Sequence, residues 1–256
     1  MKKILLIIAL LISGLGLNAQ SATIGGLKFN VTSIELAECE VLGYSGKPVD
    51  VTIPSKVTIS GKEYSVTSIR GFYHCSSLKS IEIPSGVTSI ESSAFTDCSS
   101  LTSIDFGENS QLTYIGYDVF YGCESLTSIE IPSGVTEIEY EAFSYCSSLT
   151  SIDFGENSQL TSIGYSAFYG CSSLTSIEIP SSVTYIGERA FYGCESLTSI
   201  ELPSGVTSIG DCAFVDCSSL TSIDFGENSQ LISIGEAAFY GCESLTSIEI
   251  PSGVTE

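Results

Sequence analysis

Apolar residues recur along most of this chain with a spacing of 23 or 25 residues. Each unit carries a Phe, a Cys three residues later, a Leu three residues after that Cys and an Ile six residues after it. Such a period, with apolar residues in constant phase, is typical of a solenoid whose stacked units share one core. The Phe positions are Phe72, Phe95, Phe120, Phe143, Phe168, Phe191, Phe214 and Phe239.

Each unit divides into three parts, which the copy at 174–194 illustrates. Leu174 to Ile179 reads Leu-Thr-Ser-Ile-Glu-Ile, and this alternation predicts a strand that ends at Pro180. Val183 to Gly187 predicts a shorter extended run. Glu188 to Cys194 has the spacing of a helical or 3₁₀ turn. Stacked copies therefore predict parallel sheets with a rise of about 4.8 Å per unit.

The N-terminal part of the chain lacks the repeat. Residues 1–19 have two lysines, a short apolar run and a small-residue stretch ending at Ala19, which together predict a secretion signal. Residues 20–65 carry short alternating runs between glycine-rich turns and predict a small antiparallel β cap on a solenoid of about eight repeats over 66–256. Because Glu256 stops partway through a repeat, we expect the C-terminus to be truncated or uncapped.

Three units are two residues longer than the others. They read Ile-Asp-Phe-Gly-Glu-Asn-Ser-Gln-Leu where the shorter ones read Ile-Glu-Ile-Pro-Ser-Gly-Val. Insertions in a solenoid fall in loops on one face, where they decorate a binding surface or are neutral variants. The extra segments are Gly107–Gln111, Gly155–Gln159 and Gly226–Gln230.

The charge of the chain limits the classes of partner. The formal net charge is −21, and it becomes −23 when Lys2 and Lys3 leave with the signal. After Lys79 the only basic residue is Arg189. Nucleic acid and anionic membrane need a basic footprint, so we expect neither as a partner, and we expect no membrane insertion after removal of the signal.

One acidic position recurs between the two Ile of every predicted strand, and we call this set the acid column. If the strands stack in register, these carboxylates form an outward row about 5 Å apart. The row either keeps the sheet soluble, or attracts a basic protein partner, or binds calcium. Its members are Glu82, Asp105, Glu130, Asp153, Glu178, Glu201, Asp224 and Glu249.

The cysteines and tyrosines also follow the repeat. Equivalent cysteines point the same way in stacked units, which opposes disulfide geometry, so we expect buried free thiols with Cys212 and Cys217 as the one local pair to check. No histidine-rich or Cys-x-x-Cys spacing indicates zinc. Tyrosines beside the repeated Phe form either an aromatic binding stripe or half-buried packing. These are Tyr73, Tyr121, Tyr169, Tyr192 and Tyr240.

Catalysis is not expected. His74 is the single histidine, and the carboxylates all stand in repeated contexts, whereas an active site needs a unique constellation in a pocket. Repeated surfaces instead suit multivalent contact with an extended partner. We therefore predict no enzyme activity, no cofactor and no metal site.

The pattern Leu-x-x-Ile-x-Ile-Pro-x-x-Val-x-x-Ile-Gly-x-x-Ala-Phe-x-x-Cys resembles the leucine-rich repeats of BspA-like and treponemal bacterial surface proteins. It is seen at Leu78–Cys98, Leu126–Cys146, Leu174–Cys194 and Leu197–Cys217. The resemblance implies a right-handed curved solenoid whose Leu-x-x-Ile-x-Ile strands line the concave side. It also implies adhesion to host extracellular-matrix proteins or to other cell-surface proteins.

Together these observations predict a non-catalytic, protein-binding repeat module that is secreted or lies on the surface of a bacterium. The acid column is the predicted binding surface. A passive stalk that presents another domain is the main alternative. A calcium-stabilised carbohydrate-binding module is a weaker one, since the chain contains no Trp.

Overall fold

The computed structural model describes residues 20–255. These residues form a solenoid of short parallel strands, and this confirms the fold class predicted from the repeat. The predicted secretion signal, residues 1–19, lies outside the described residues, as does Glu256.

Six strands precede the first repeat unit. β1, β2 and β3 pair antiparallel in that order, as do β5 and β6, whereas β3 pairs parallel with β6. The segment predicted as an antiparallel cap thus contains the expected hairpins, but its sheet is mixed. The strands are β1 (Ser21–Ile24), β2 (Leu27–Ser33), β3 (Glu38–Tyr44), β4 (Asp50–Thr52), β5 (Lys56–Ile59) and β6 (Lys62–Ile69).

The later repeats build two columns of strands. Most repeats supply a three-residue strand from the Ser-Ile-Glu or Ser-Ile-Asp position: β7 (Ser80–Glu82), β9 (Ser103–Asp105), β11 (Ser128–Glu130), β13 (Ser151–Asp153), β16 (Ser199–Glu201) and β18 (Ser222–Asp224). The predicted shorter run supplies a two-residue strand: β8 (Ser89–Ile90), β10 (Tyr114–Ile115), β12 (Glu137–Ile138), β14 (Ser162–Ile163), β15 (Tyr185–Ile186), β17 (Ser208–Ile209) and β19 (Ser233–Ile234).

The solenoid begins before the first repeat that the sequence shows. β4 pairs parallel with β7, and the end of β6 pairs parallel with β8. Both pairings are in the same residue-for-residue register as those between later repeats. Residues assigned to the cap therefore also build one turn of the solenoid, and the division at residue 65 stays a prediction.

The core is a column of apolar side chains that runs through the stacked repeats. The repeated Phe rings stack on one another, with centroids 5.1 Å apart between Phe120 and Phe143 and 5.6 Å apart between Phe214 and Phe239. From Phe95 to Phe214 these rings are fully buried, and so are the repeated Leu from Leu78 to Leu220. Fully burying one such side chain contributes about 2 kcal/mol, so each repeat is stabilised mainly by the repeats on either side.

The third part of each unit is a chain of tight turns, and the prediction of helical or 3₁₀ turns is wrong for residues 20–255. Its backbone enters the left-handed region twice per unit, as at Arg189 (φ 54°) and Gly193 (φ 70°), and this interrupts any helix. The amides of Arg189, Phe191 and Gly193 donate to the carbonyls of Asp211, Ala213 and Val215 in the next repeat. The turns therefore bond neighbouring repeats to each other.

Candidate functional site

All eight acid-column residues are exposed, and the apolar residues on either side of them are buried or half-buried, except Ile250, which is exposed. The row is not continuous, however. Parallel register places Glu82 beside Asp105, Glu130 beside Asp153, and Glu201 beside Asp224. Between these pairs the strands separate, so that β4-β7-β9, β11-β13 and β16-β18 are distinct sheets.

Three of the separations form equivalent polar grooves. Each groove lies between the strand of a long repeat and the extended segment of the repeat that follows it. One carboxylate of the acid column stands on each side. The first groove holds Asp105 and Glu130, the second Asp153 and Glu178, and the third Asp224 and Glu249. Their volumes are about 610, 540 and 740 Å³.

The longer repeats explain why the sheet opens on one side of them. The loop of each long repeat bonds backward: the amides of Gln111, Gln159 and Gln230 donate to carbonyls of the preceding short repeat. The backbone carbonyl of the column Asp also accepts a hydrogen bond from the preceding repeat. The Ile83 amide, for example, donates to the Asp105 carbonyl at 2.7 Å. Because both sets of bonds face the preceding repeat, the opening falls on the following side.

The three aspartates of the column have a structural role that the glutamates lack. In each, Oδ1 accepts a hydrogen bond from the amide of the glycine two residues later, at 2.7 to 2.8 Å. These bonds hold the turn that starts the long loop. The recurring Asp-Phe-Gly of the long repeats was the sequence signal for this turn. The pairs are Asp105 with Gly107, Asp153 with Gly155, and Asp224 with Gly226.

The segment Ser176–Ile179, like Ser247–Ile250, is not paired with a strand on either side. Its sequence, Ser-Ile-Glu-Ile, is identical to Ser80–Ile83, where β7 pairs with a strand on each side. At 176–179 the amides make no backbone hydrogen bond in the described chain, and the segment is not a strand. A further groove, lined by Glu178 and Glu201, flanks its other side. Polar backbone groups at these edges are therefore available to a ligand.

The cysteines are free thiols, as predicted. In the repeats they are buried from Cys98 to Cys242, apart from Cys212, which lies outside the column and is half-buried, as is Cys75. From Cys98 to Cys242, each repeated thiol donates to the Phe carbonyl of the repeat before it, as from Cys171 to Phe143 at 3.2 Å. Burial raises the pKa of these thiols, to about 12 at Cys98, so they stay protonated donors.

The tyrosines form two rows of contacting rings, one of which the sequence analysis missed. Tyr121, Tyr145, Tyr169 and Tyr192 follow one another with centroids 4.8 to 5.4 Å apart, so Tyr145 joins three of the predicted residues. Tyr73 and Tyr240 are strongly exposed and do not belong to this row. The second row is Tyr117, Tyr140 and Tyr165. The signal for it was the tyrosine two residues after the short-strand Ile in three consecutive repeats.

Two further properties of residues 20–255 concern metal ions and membranes. Within this range no three His, Cys, Asp or Glu side chains lie close enough together to hold a metal ion. The acid column therefore adds no support to the calcium alternative, since six of its members stand in registered pairs and Glu178 and Glu249 have no strand partner. The same residues contain no helix of the length and hydropathy that a membrane span requires.

The two strand columns, the stacked Phe and the shared unit define the chain as a leucine-rich-repeat solenoid. The BspA type leucine rich repeat region matches it in six copies, over residues 67–168 and 161–256. The chain belongs to this family. No curated protein matches it.

Solved structures of bacterial repeat proteins are similar to the chain. A leucine rich repeat protein of T. pallidum is 30% identical, with a TM-score of 0.60 and coverage of 88% of this chain and 90% of that one. A leucine rich cell surface protein of Faecalibacterium prausnitzii is 27% identical, with a TM-score of 0.54 and coverage of 92% and 83%. The pneumococcal vaccine antigen PcpA, at 21% identity, 92% and 71% coverage and a TM-score of 0.63, shares the fold.

Proposed function

We propose that the protein is a secreted or surface-exposed bacterial module that binds a basic protein partner through the acid column and its grooves, without catalysis. The repetition of one groove at three places is the observation that carries this proposal. A partner with several basic segments engages more than one groove at a time, which raises its apparent affinity well above that of one contact.

The charge of the chain supports a basic partner. Each groove presents two column carboxylates on a chain of net charge −21, in which Arg189 is the single basic residue after Lys79. Such a field speeds the approach of basic proteins and disfavours anionic ones. Host extracellular-matrix proteins and other cell-surface proteins are the candidate partners that the family resemblance offers.

The predicted signal at residues 1–19 supports export. The cell-surface description of the F. prausnitzii relative supports a place on the outside of a bacterial cell. The stalk alternative makes the opposite prediction about ligands, because a spacer has no binding surface of its own.

The test compares two triple variants of residues 20–256 that lose the same charge. In the first, Glu130, Glu178 and Glu249 become Gln, so each groove loses its glutamate. In the second, Glu124, Glu195 and Glu243 become Gln; these residues are exposed and line none of the grooves. Both keep the aspartates that hold the long loops, and circular dichroism checks that both fold.

Binding to immobilised matrix and plasma proteins is then measured by surface plasmon resonance. We expect saturable binding by the wild type and the second variant, and at least about a tenfold loss in the first, which is a few tenths of a kcal/mol or more per site. Equal loss in both variants would show that net charge alone acts. Absence of binding by the wild type across the panel would favour the stalk.

A further inference from the structure

We propose that the row Tyr117–Tyr140–Tyr165, with the carboxylates beside it, binds arginine side chains of a protein partner. This surface lies on the turns that follow the short strands, and not in the acid column. The inference is therefore independent of the function proposed above.

The chain itself shows which group the row accepts. Arg189 lies over the ring of Tyr165, with its guanidinium carbon 5.7 Å from the ring centroid, and donates a hydrogen bond to the Tyr165 hydroxyl. Its Nη1 is also 3.0 Å from Oε1 of Glu188. One guanidinium thus combines an aromatic face, a hydroxyl acceptor and a carboxylate, which is the combination that favours arginine over lysine.

The rings of the row are arranged as a stack with one filled end. Tyr165 and Tyr140 stack with their centroids 4.8 Å apart and their planes 5° apart. Arg189 covers Tyr165 at one end of this stack. At the other end Tyr117 meets Tyr140 edge-on, at 6.4 Å and 85°. Tyr117 is 49% exposed and Tyr140 is 43% exposed, so both offer ring surface to a ligand.

The Tyr117 end has the same chemistry but no cation from the chain. Asp118 follows Tyr117, and its Oδ1 is buried without a hydrogen-bond partner in the described structure. A buried acceptor without a donor is unfavourable, and an arriving guanidinium would supply the donor. The sequence supplies no basic residue between Lys79 and Arg189 that fills this position. Burial and the charge of Glu141 raise the pKa of Asp118, which agrees with a local excess of negative charge.

Glu141 adds a second carboxylate to this end. It takes the place of Asp118 in the next repeat, and the amide of Asp118 donates to the carbonyl of Tyr140 beside it. Hydrogen bonding to the Glu141 carboxylate raises the pKa of Tyr140 to about 12. Two carboxylates and two exposed rings within two repeats therefore fit an arginine-bearing segment that runs along the row.

The test uses two dye-labelled peptides of equal charge, Gly-Arg-Gly-Arg-Gly-Arg-Gly and its lysine counterpart. Fluorescence anisotropy measures their binding to residues 20–256. We expect the arginine peptide to bind about fivefold more tightly, since stacking on an exposed ring contributes about 1 kcal/mol. Equal affinity for the two peptides would overturn the proposal in favour of general electrostatic attraction.

Three variants locate the binding. Changing Tyr117 and Tyr140 to Ser should abolish the preference for arginine. The control changes Tyr73 and Tyr185 to Ser; both are exposed and lie outside both rows, so the preference should remain. Asp118→Asn should weaken binding of the arginine peptide. Preference that survives the Tyr117 and Tyr140 changes would contradict the site.

Removal of Arg189 should have the opposite effect on the affinity for the arginine peptide. Arg189→Ala uncovers Tyr165, so it should strengthen binding of the arginine peptide beyond the effect of the lost charge. Lys47→Ala removes the same charge from an exposed position of the N-terminal segment and is the control. Equal gains in the two variants would show that Arg189 does not occupy the site. The groove variant with Glu130, Glu178 and Glu249 changed to Gln should keep the preference, so failure of one proposal does not imply failure of the other.

Discussion

The repeated cysteines contribute to the packing of the core between neighbouring repeats. Column thiols donate to the Phe carbonyl of the preceding repeat, and burial keeps them protonated. Alkylation requires the thiolate and access to it. Their place in the core thus protects them from reaction without any disulfide.

Alkylation kinetics test this account of the thiols. In native protein treated with iodoacetamide at about pH 8, near the ordinary pKa of a thiol, we expect Cys75 and Cys212 to be modified first. The buried column cysteines, from Cys98 to Cys242, should react only after unfolding in urea. Mass spectrometry of peptides distinguishes the positions, and reaction of these buried cysteines as fast as Cys75 and Cys212 in the native state would contradict the account.

Asp118 shows how a potential ligand position affects stability. Burial, then the charge of Glu141, raises the pKa of its carboxyl above the ordinary 3.8. The ionised form therefore destabilises the fold at neutral pH, and this cost disappears as the pH falls through the raised pKa. Asp118 thus lowers the stability of the fold at neutral pH, and its presence is consistent with a role in binding.

The direction of the Asp118 pKa shift determines the predicted effect of Asp118→Asn on stability. At pH 7 the variant should melt at a higher temperature than the wild type, because it lacks the buried charge. At about pH 3, below the unfolded-state pKa, the difference should vanish. Glu124→Gln, an exposed change of the same charge, is the control, and an Asp118→Asn variant that is less stable at pH 7 would contradict the inference.

At the scale of elements, the turn segment depends on left-handed backbone positions. These positions let the amides point to the next repeat, and in the units from Tyr117 to Gly193 the second one is Gly or Tyr. A side chain at φ near +70° costs about 1 kcal/mol even where there is space for it.

Two glycines separate backbone strain from crowding. At Gly193 (φ 70°) an added Cβ would lie 3.7 Å from its nearest neighbour, and at Gly205, whose φ is not positive, 3.8 Å. Gly193→Ala should therefore lower the free energy of unfolding by about 1 kcal/mol, while Gly205→Ala changes it little. Urea denaturation measures both, and equal effects would show that φ is not the cause.

The sequence predicted most of the strands because the Ile-x-Ile alternation and the Pro that ends it are local signals. The strand predicted at Leu174–Ile179 is wrong, because pairing with the neighbouring repeats is lost over residues 176–179. It also placed each acid-column residue on the outside, since the residue between two buried Ile must face away from the core. The turn segment was predicted to be helical because the spacing of Ala190 and Phe191 after Ile186 fits a helix. The residue type of Arg189 does not indicate that its backbone adopts a left-handed conformation. The grooves were missed because they arise from the bonding of long loops to one neighbour only.

At the scale of the whole molecule, near-identical repeats do not give a uniform surface. The arrangement of longer and shorter units divides the acid column into registered pairs and opens a groove after each long repeat. This opening exposes polar backbone together with two acid-column carboxylates per groove. The proposed protein-binding surface depends on it.

Hydrogen–deuterium exchange of one sequence at two places measures directly whether the sheet is open beside Glu178. Ser80–Ile83 and Ser176–Ile179 are both Ser-Ile-Glu-Ile, so their intrinsic exchange rates match closely, but the first pairs on both sides and the second on neither. We expect amides of 176–179 to exchange at least about tenfold faster than those of 80–83. Equal protection of the two segments would mean that the sheet is continuous, and the proposed binding surface would be wrong.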